Sequence, residues 1–360
     1  MIPTRTDLTA RLADRTLGLV ATPSVSEHED EVLAAIADAM PAAPDDDADG
    51  CLLYLPPAGG AGRVLLAGHV DTVPVAGTAE PAREGDAIFG RGASDMKGGC
   101  AVMVELARDL AAGEVASDLA LGFLFFGREE ISSDRSPLPG LFARQPALRS
   151  IDLVVVMEPT DNALEIGCLG NLDAVVRISG LAAHSARPWL GDNAIHRAAE
   201  VVRAIASSPE RTVEIDGLTY REVTSVTEIS GGVAPNVVPD RVDLTVNHRY
   251  APSRSPAEAE RDLRGLVAGD GVELEIRSNA GPAPVNLQAP IVRRLQAAGT
   301  LEARPKQAWT PVAEFAAHGV DAVNFGPGDP ALAHRDDERI EVAALTRSYE
   351  VLRAFLAGER

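Results

Sequence analysis

The chain has 360 residues, enough for roughly two domains, and its 46% hydrophobic and 24% charged residues fit an ordinary globular fold, neither disordered nor membrane-embedded. A formal net charge of -20 argues against nucleic acid and anionic membranes as partners, since both need a basic face; a small anionic substrate met by local arginines stays open. The longest apolar run, Leu119 to Phe126, is too short to span a bilayer, and the first residues lack the apolar core of a signal peptide. Cys51, Cys100 and Cys168 form no C-x-x-C, which suits inert thiols in a reducing compartment, so the expected location is cytoplasmic.

Leu8, Leu12, Leu19 and Val20 fall at helical spacing up to Pro23, and a second helix is expected from about Glu27 to Met40. Pro41 to Gly50 reads as a solvated acidic loop. Val64 to Ala67 then form a short apolar run of the buried-strand kind, broken by Gly68 just before His69 and Asp71. Two residues apart, that imidazole and carboxylate point the same way if the strand continues, which is how a metal-binding histidine gains a supporting partner.

Gly90 to Gly99 carries four glycines, but the spacing fits no phosphate loop; what remains is Asp95, presented by a tight turn before a helix from Gly98 to about Ala112. Leu119 to Phe126 is another buried strand, followed by Gly127, Arg128, Glu129 and Glu130. Adjacent carboxylates repel, so something positive should hold them; with a cation present, one can be a ligand and the other a free base. Ile151 to Met157 ends likewise in Glu158. Buried strands that each end in His, Asp or Glu are what an open α/β sheet looks like when ligands gather at its carboxyl edge.

From Leu172 the pattern alternates: a strand to Ser179, a helix from Asn193 to Ala206, strands over Tyr220 to Ser230 and around Val242 to Val246, a helix from Ser255 and Pro256 to about Val267, and a strand over Val272 to Ile276. This βαββαβ order is the ferredoxin-like split unit. The expected division is a catalytic domain over 1–171 and 286–360, with an inserted domain over 172–285. Residues 280–290, with three prolines, read as the return linker. Beyond it come a helix from about Ala289, a strand at Ala322 to Phe325, a glycine-rich turn leading to His334, and a closing helix from Val342 to Leu356.

His69, Asp71, Asp95, Glu129, Glu130, Glu158 and His334 thus form one candidate constellation. Two histidines with carboxylates suit a pair of borderline metals such as zinc with one bridging carboxylate, whereas structural zinc favours cysteine. Such a site polarises a carbonyl and activates water, and a free carboxylate carries the proton to the leaving nitrogen, which is amide hydrolysis. Serine catalysis has little support: G-x-S-x-G is absent, and His184 and Ser185 are adjacent in sequence and seldom face each other.

In order, GHVDTV, GRGASDMKGG, REE, MEPT, GLAAHSARPWLGDNAIH, GGVAPNVVPD and FGPGDPALAHRDDE give the whole chain a resemblance to the zinc-dependent aminoacylase and carboxypeptidase superfamily, most closely the succinyl-diaminopimelate desuccinylases of actinobacterial type. The resemblance implies an α/β open-sheet dinuclear zinc peptidase-like domain with an inserted ferredoxin-like dimerisation domain. It implies His69 and Glu158 on one zinc, Glu130 and His334 on the other, Asp95 bridging, and cobalt able to replace zinc. Asp71 would orient His69, Glu129 would be the general base, and a non-proline cis peptide would follow Asp95. His184 would reach the active site of the partner in a homodimer to stabilise the oxyanion, while Asn236, Arg249 and Thr310 would contact substrate. The implied reaction is hydrolysis of N-succinyl-LL-diaminopimelate to succinate and LL-diaminopimelate, a step of lysine and peptidoglycan precursor synthesis. The alternative is a sister deacylase or dipeptidase, such as an N-acetylornithine deacetylase. Pro311, where an acidic residue is expected, and the unusual segment after Glu130 bear on that choice.

Overall fold

A computed structural model describes residues 5–74 and 80–358. The chain divides into two compact units, the first comprising Met1–Ile166, Asn286–Arg304 and Glu314–Arg360, and the second Gly167–Val285 with Pro305–Ala313.

The first unit is built on a mixed sheet whose centre is parallel. Arg63–His69 lies between Ala120–Phe126 and Leu153–Val156, and Ala322–Asn324 adds to the far side of the latter, all four running the same way. Ala120–Phe126 and Leu153–Val156 are buried along their whole length, which explains why they read as continuous apolar runs without alternation. The helices Arg5–Ala21, Gly98–Ala111, Pro290–Gly299 and Val342–Ala357 supply further apolar cover, among it Leu12, Val102, Leu106, Leu295, Leu345 and Phe355. Parallel strands share one carboxyl edge, so the residues following each of the four strands emerge together.

One expectation fails in this unit. The acidic stretch is not all loop: Asp46–Ala48 is an edge strand paired antiparallel with Cys51–Tyr54 through a two-residue turn, Asp49 and Gly50, both at positive φ. That is the hairpin turn which matches strand twist.

The second unit is a five-stranded antiparallel sheet in the order Arg211–Ile215, Leu218–Gly231, Arg241–Tyr250, Gly170–Ser179, Val272–Ala280. Its one extra strand relative to βαββαβ is Arg211–Ile215, joined to Leu218–Gly231 by Asp216 and Gly217, again both at positive φ. The helices Ala194–Ala206 and Pro256–Leu266 contribute Ala198, Val201, Ile205, Ala259 and Leu263 to a core with Val176, Leu244 and Val246 of the sheet. Both start as the sequence indicates: Asn193 caps the first, and Ser255 with Glu258 forms a reciprocal capping box on the second.

Candidate metal centre

His69 is the last residue of its strand, and its ring is fixed from both ends. Nδ1 lies 3.1 Å from the carbonyl oxygen of Asp71 and 3.5 Å from its Oδ1, while Nε2 lies 3.0 Å from Oδ1 of Asp95 and 4.0 Å from Glu158. Burial alone would lower the His69 pKa, but Asp71 and Asp95 outweigh it and hold the pKa well above the ordinary value.

Asp95 enters from the turn before the Gly98–Ala111 helix, and the Asp95–Met96 peptide is cis. Glu130 follows Ala120–Phe126, Glu158 follows Leu153–Val156, and His334 follows the turn after Ala322–Asn324. His334 Nε2 sits 3.0 Å from the Glu130 carboxylate and 3.6 Å from Asp95. Each of His69, Asp95 and Glu130 offers a donor atom such that all three lie within 4.8 Å of one another. Gly326 is required for this approach, because a Cβ there would collide with the carbonyl oxygens of Met157 and Glu158.

The carboxylates are crowded. Burial first, then Glu158, Glu130 and Asp95, pushes Glu129 well above the usual carboxylate range despite the opposing charge of His69. Glu130 is raised to about 6, chiefly by burial. Buried acids that resist ionisation and crowd one another, set between two imidazoles, are the donor chemistry of a divalent cation site; His, Asp and Glu without cysteine fit a catalytic metal.

Asp71 does more than the sequence suggests. Its Oδ1 accepts the backbone N–H of Glu129 at 3.1 Å, and its Oδ2 accepts that of Glu130 at 3.0 Å and the hydroxyl of Ser26 at 2.7 Å. Oε1 of Glu29 accepts the preceding N–H, that of Arg128, at 3.1 Å. Two carboxylates therefore hold three successive amides, and the backbone presenting Glu129 and Glu130 is pinned from below. Burial opposes this anion, but the His69 hydrogen bond and these donors keep the Asp71 pKa below the ordinary value.

Sequence reasoning missed Ser26, Glu29 and Glu338. Buried Glu338 accepts the N–H groups of Ser94 and Asp95 on Oε1 at 3.0 and 3.1 Å, and Arg91 on Oε2 at 3.0 Å. In sequence it is merely the fourth of five consecutive charged residues after His334. Ser94 and Lys97 also stand at S-x-x-K spacing, yet the hydroxyl donates to the carbonyl of Asp329 at 2.9 Å and the ammonium to that of Thr22 at 2.7 Å. They are committed to backbone and do not form a nucleophile pair.

The remaining candidates lie in the second unit. His184 is exposed and pairs in a short ladder with Val237, next to Asn236, whose carbonyl accepts the Ser185 N–H. Nδ1 of His184 accepts the N–H of Ala186 at 3.0 Å, which leaves Nε2 as the outward nitrogen. Arg249 lies on the sheet face away from the helices, and Thr310 is buried.

The model of the family described as peptidase family M20/M25/M40 matches residues 65–358. The chain belongs to this family. Among M20 relatives, a Mycobacterium tuberculosis protein bearing a provisional succinyl-diaminopimelate desuccinylase (DapE) name is 42% identical over 98% of this chain and 99% of its own. A Corynebacterium glutamicum succinyl-diaminopimelate desuccinylase is 36% identical over 94% of both chains. The fold is that of the Bacillus cereus aminopeptidase PepT, with TM-score 0.78 at 19% identity over 97% and 98% of the two chains. It is also that of a Bacillus subtilis protein described as a dinuclear metal-binding M20 peptidase, with TM-score 0.70 at 14% identity over 98% of each chain. An M20 chain with this donor set has a metal centre. No described helix is long and apolar enough to cross a membrane.

Proposed function

We propose that this protein is a cytoplasmic dinuclear zinc amidohydrolase that cleaves N-succinyl-LL-diaminopimelate to succinate and LL-diaminopimelate. The observation that carries the reading is the convergence of His69, Asp95, Glu130, Glu158 and His334 around a crowded acidic centre, at or beside the carboxyl edge of four parallel strands. The likeness to desuccinylases over nearly the whole chain supports the substrate.

His69 and Glu158 would hold one zinc, Glu130 and His334 the other, with Asp95 between them. When bound, the metals supply polarisation of the scissile carbonyl and acidification of a water. Glu129 takes the water proton and returns it to the leaving amine. Asp71 keeps the His69 ring oriented and the Glu129 and Glu130 backbone in register. His184, with its outward Nε2, would stabilise the developing oxyanion of a second copy's site. Exposed Trp189, Leu190, Leu181 and Ile229 in the second unit support association with that copy, because large apolar side chains left in water favour burial in an interface. Arg249 and Asn236 would bind substrate carboxylate, and Thr310 would also contact substrate. Pro311 in place of an acidic residue keeps a sister deacylase as the second reading.

The test offers the zinc-loaded protein N-succinyl-LL-diaminopimelate, N-acetylornithine and a few dipeptides, each with and without chelator. Preference for the succinyl substrate, lost with chelator, is the expected result. Turnover of another acyl-amino acid would move the activity to a sister enzyme, and chelator-insensitive turnover would remove the metal from the chemistry.

A further inference from the structure

Asn247 and Arg249 are two apart on the Arg241–Tyr250 strand, so they share a face, and that face also carries Asn171 and Asp173 from the neighbouring strand. Nε of Arg249 donates to Oδ1 of Asn247 at 2.9 Å. The amide nitrogen of Asn247 donates to Oδ1 of Asp173 at 2.6 Å and to Oδ1 of Asn171 at 2.7 Å. Oδ2 of Asp173 accepts from Asn171 and from the hydroxyl of Ser278, each at 3.3 Å.

The direction of this chain is set at one end. A carboxylate can only accept, so Asp173 requires the nitrogen side of the Asn247 amide to face it, which turns the oxygen side toward Arg249. The Nε edge of the guanidinium is thereby spent, and its two Nη groups have no hydrogen-bond partner among the described residues. Half-buried, the guanidinium is held with its terminal fork free, the edge that binds a carboxylate through two parallel hydrogen bonds.

We infer that Asp173 and Asn247 are positioning residues for substrate: through Arg249 they preset an end-on fork that recognises a carboxylate of the acyl-amino acid. The inference rests on Arg249 being a substrate contact, as proposed above. It adds that affinity depends on the Asp173 to Asn247 relay as well as on the arginine itself. Without Asp173 the Asn247 amide can flip, presenting donors to a donor, and the fork loses its fixed direction.

The test measures kcat and KM for Asp173→Asn, Asn247→Ala and Arg249→Gln, singly and with each relay variant combined with Arg249→Gln. It uses whichever acyl-amino acid the enzyme turns over best and a carboxamide analogue of it. Asp173→Asn is isosteric, and a thermal midpoint for each variant verifies folding. The expected result is a KM raised about tenfold by either relay variant with kcat nearly unchanged, no further rise when Arg249 is already Gln, and little effect on the analogue. If Arg249→Gln raises KM but the relay variants do not, or if their effect persists in the Arg249→Gln background, the relay is overturned while the Arg249 contact stands. If Arg249→Gln leaves KM unchanged, the contact falls and the relay with it.

Discussion

Oδ2 of Asp71 accepts the backbone N–H of Glu130 at 3.0 Å. A residue two positions after His69 therefore also fixes the end of the neighbouring strand, and one carboxylate links a proposed ligand on each of two strands. Asp71→Asn keeps the shape but presents an amide nitrogen to one of two backbone donors. A loss in activity or metal affinity of about 10- to 100-fold is expected, read by turnover and metal titration. Ser26→Ala removes only one neutral donor from the same carboxylate, so its effect should be several-fold smaller.

Glu338 should behave as a support of Asp95. Glu338→Ala leaves the N–H groups of Ser94 and Asp95 and the Arg91 guanidinium without their acceptor, at a cost of about 3 kcal/mol in stability. Weaker metal binding should accompany it. Denaturant unfolding and metal titration of the variant check both, and unchanged metal affinity would make Glu338 purely structural.

The residues legible in sequence were those whose type and place coincide. His69, Glu130 and Glu158 follow apolar runs that could only be buried strands, so their common edge could be inferred. Glu29 and Glu338 were invisible because they accept backbone N–H groups, and Ser26 because its hydroxyl donates to a carboxylate 45 positions away; neither leaves a signature in side-chain pattern. Ser26 could have been sought by asking what the chain after Pro23 pairs with: Val25 bridges Thr72, which lays Ser26 beside Asp71. Two of the strands that the sequence did not reveal lie before an Asp-Gly turn, at Asp49-Gly50 and Asp216-Gly217. The turn signal was present, but Asp46–Ala48 is a polar edge strand and Arg211–Ile215 alternates only over Val213 and Ile215, too short an apolar pattern to mark a strand by itself.

Glu314 gives a pH dependence of stability with Ser136 as its hydrogen-bond donor. Burial lifts its carboxyl to about 7, against a hydrogen bond donated by Ser136 at 2.8 Å. The folded chain then binds more protons than the unfolded chain between about 4.5 and 7, so this group's contribution is most favourable below that window and is lost as pH rises through it. Glu314→Gln should remove the slope and stabilise the protein at pH 8 by on the order of 2 kcal/mol, with little change at pH 4.5. Urea unfolding of both proteins across this range measures it.

The proposed role of His184 across a dimer predicts complementation. His184→Ala and Glu129→Ala should each be inactive alone. Co-expressed, half the dimers would be mixed, each with one complete site, restoring about a quarter of wild-type turnover. No recovery in verified mixed dimers would place the His184 contribution within its own chain.

The central claim is that Glu129 stands free as the base while its neighbours hold the metals. The most direct measurement is metal content by mass spectrometry beside turnover, for wild type and Glu129→Ala. The account predicts the same two metals per chain in both, with turnover lowered by at least about 1000-fold in the variant. A variant that loses metal, or one that keeps both metals and its turnover, would contradict it.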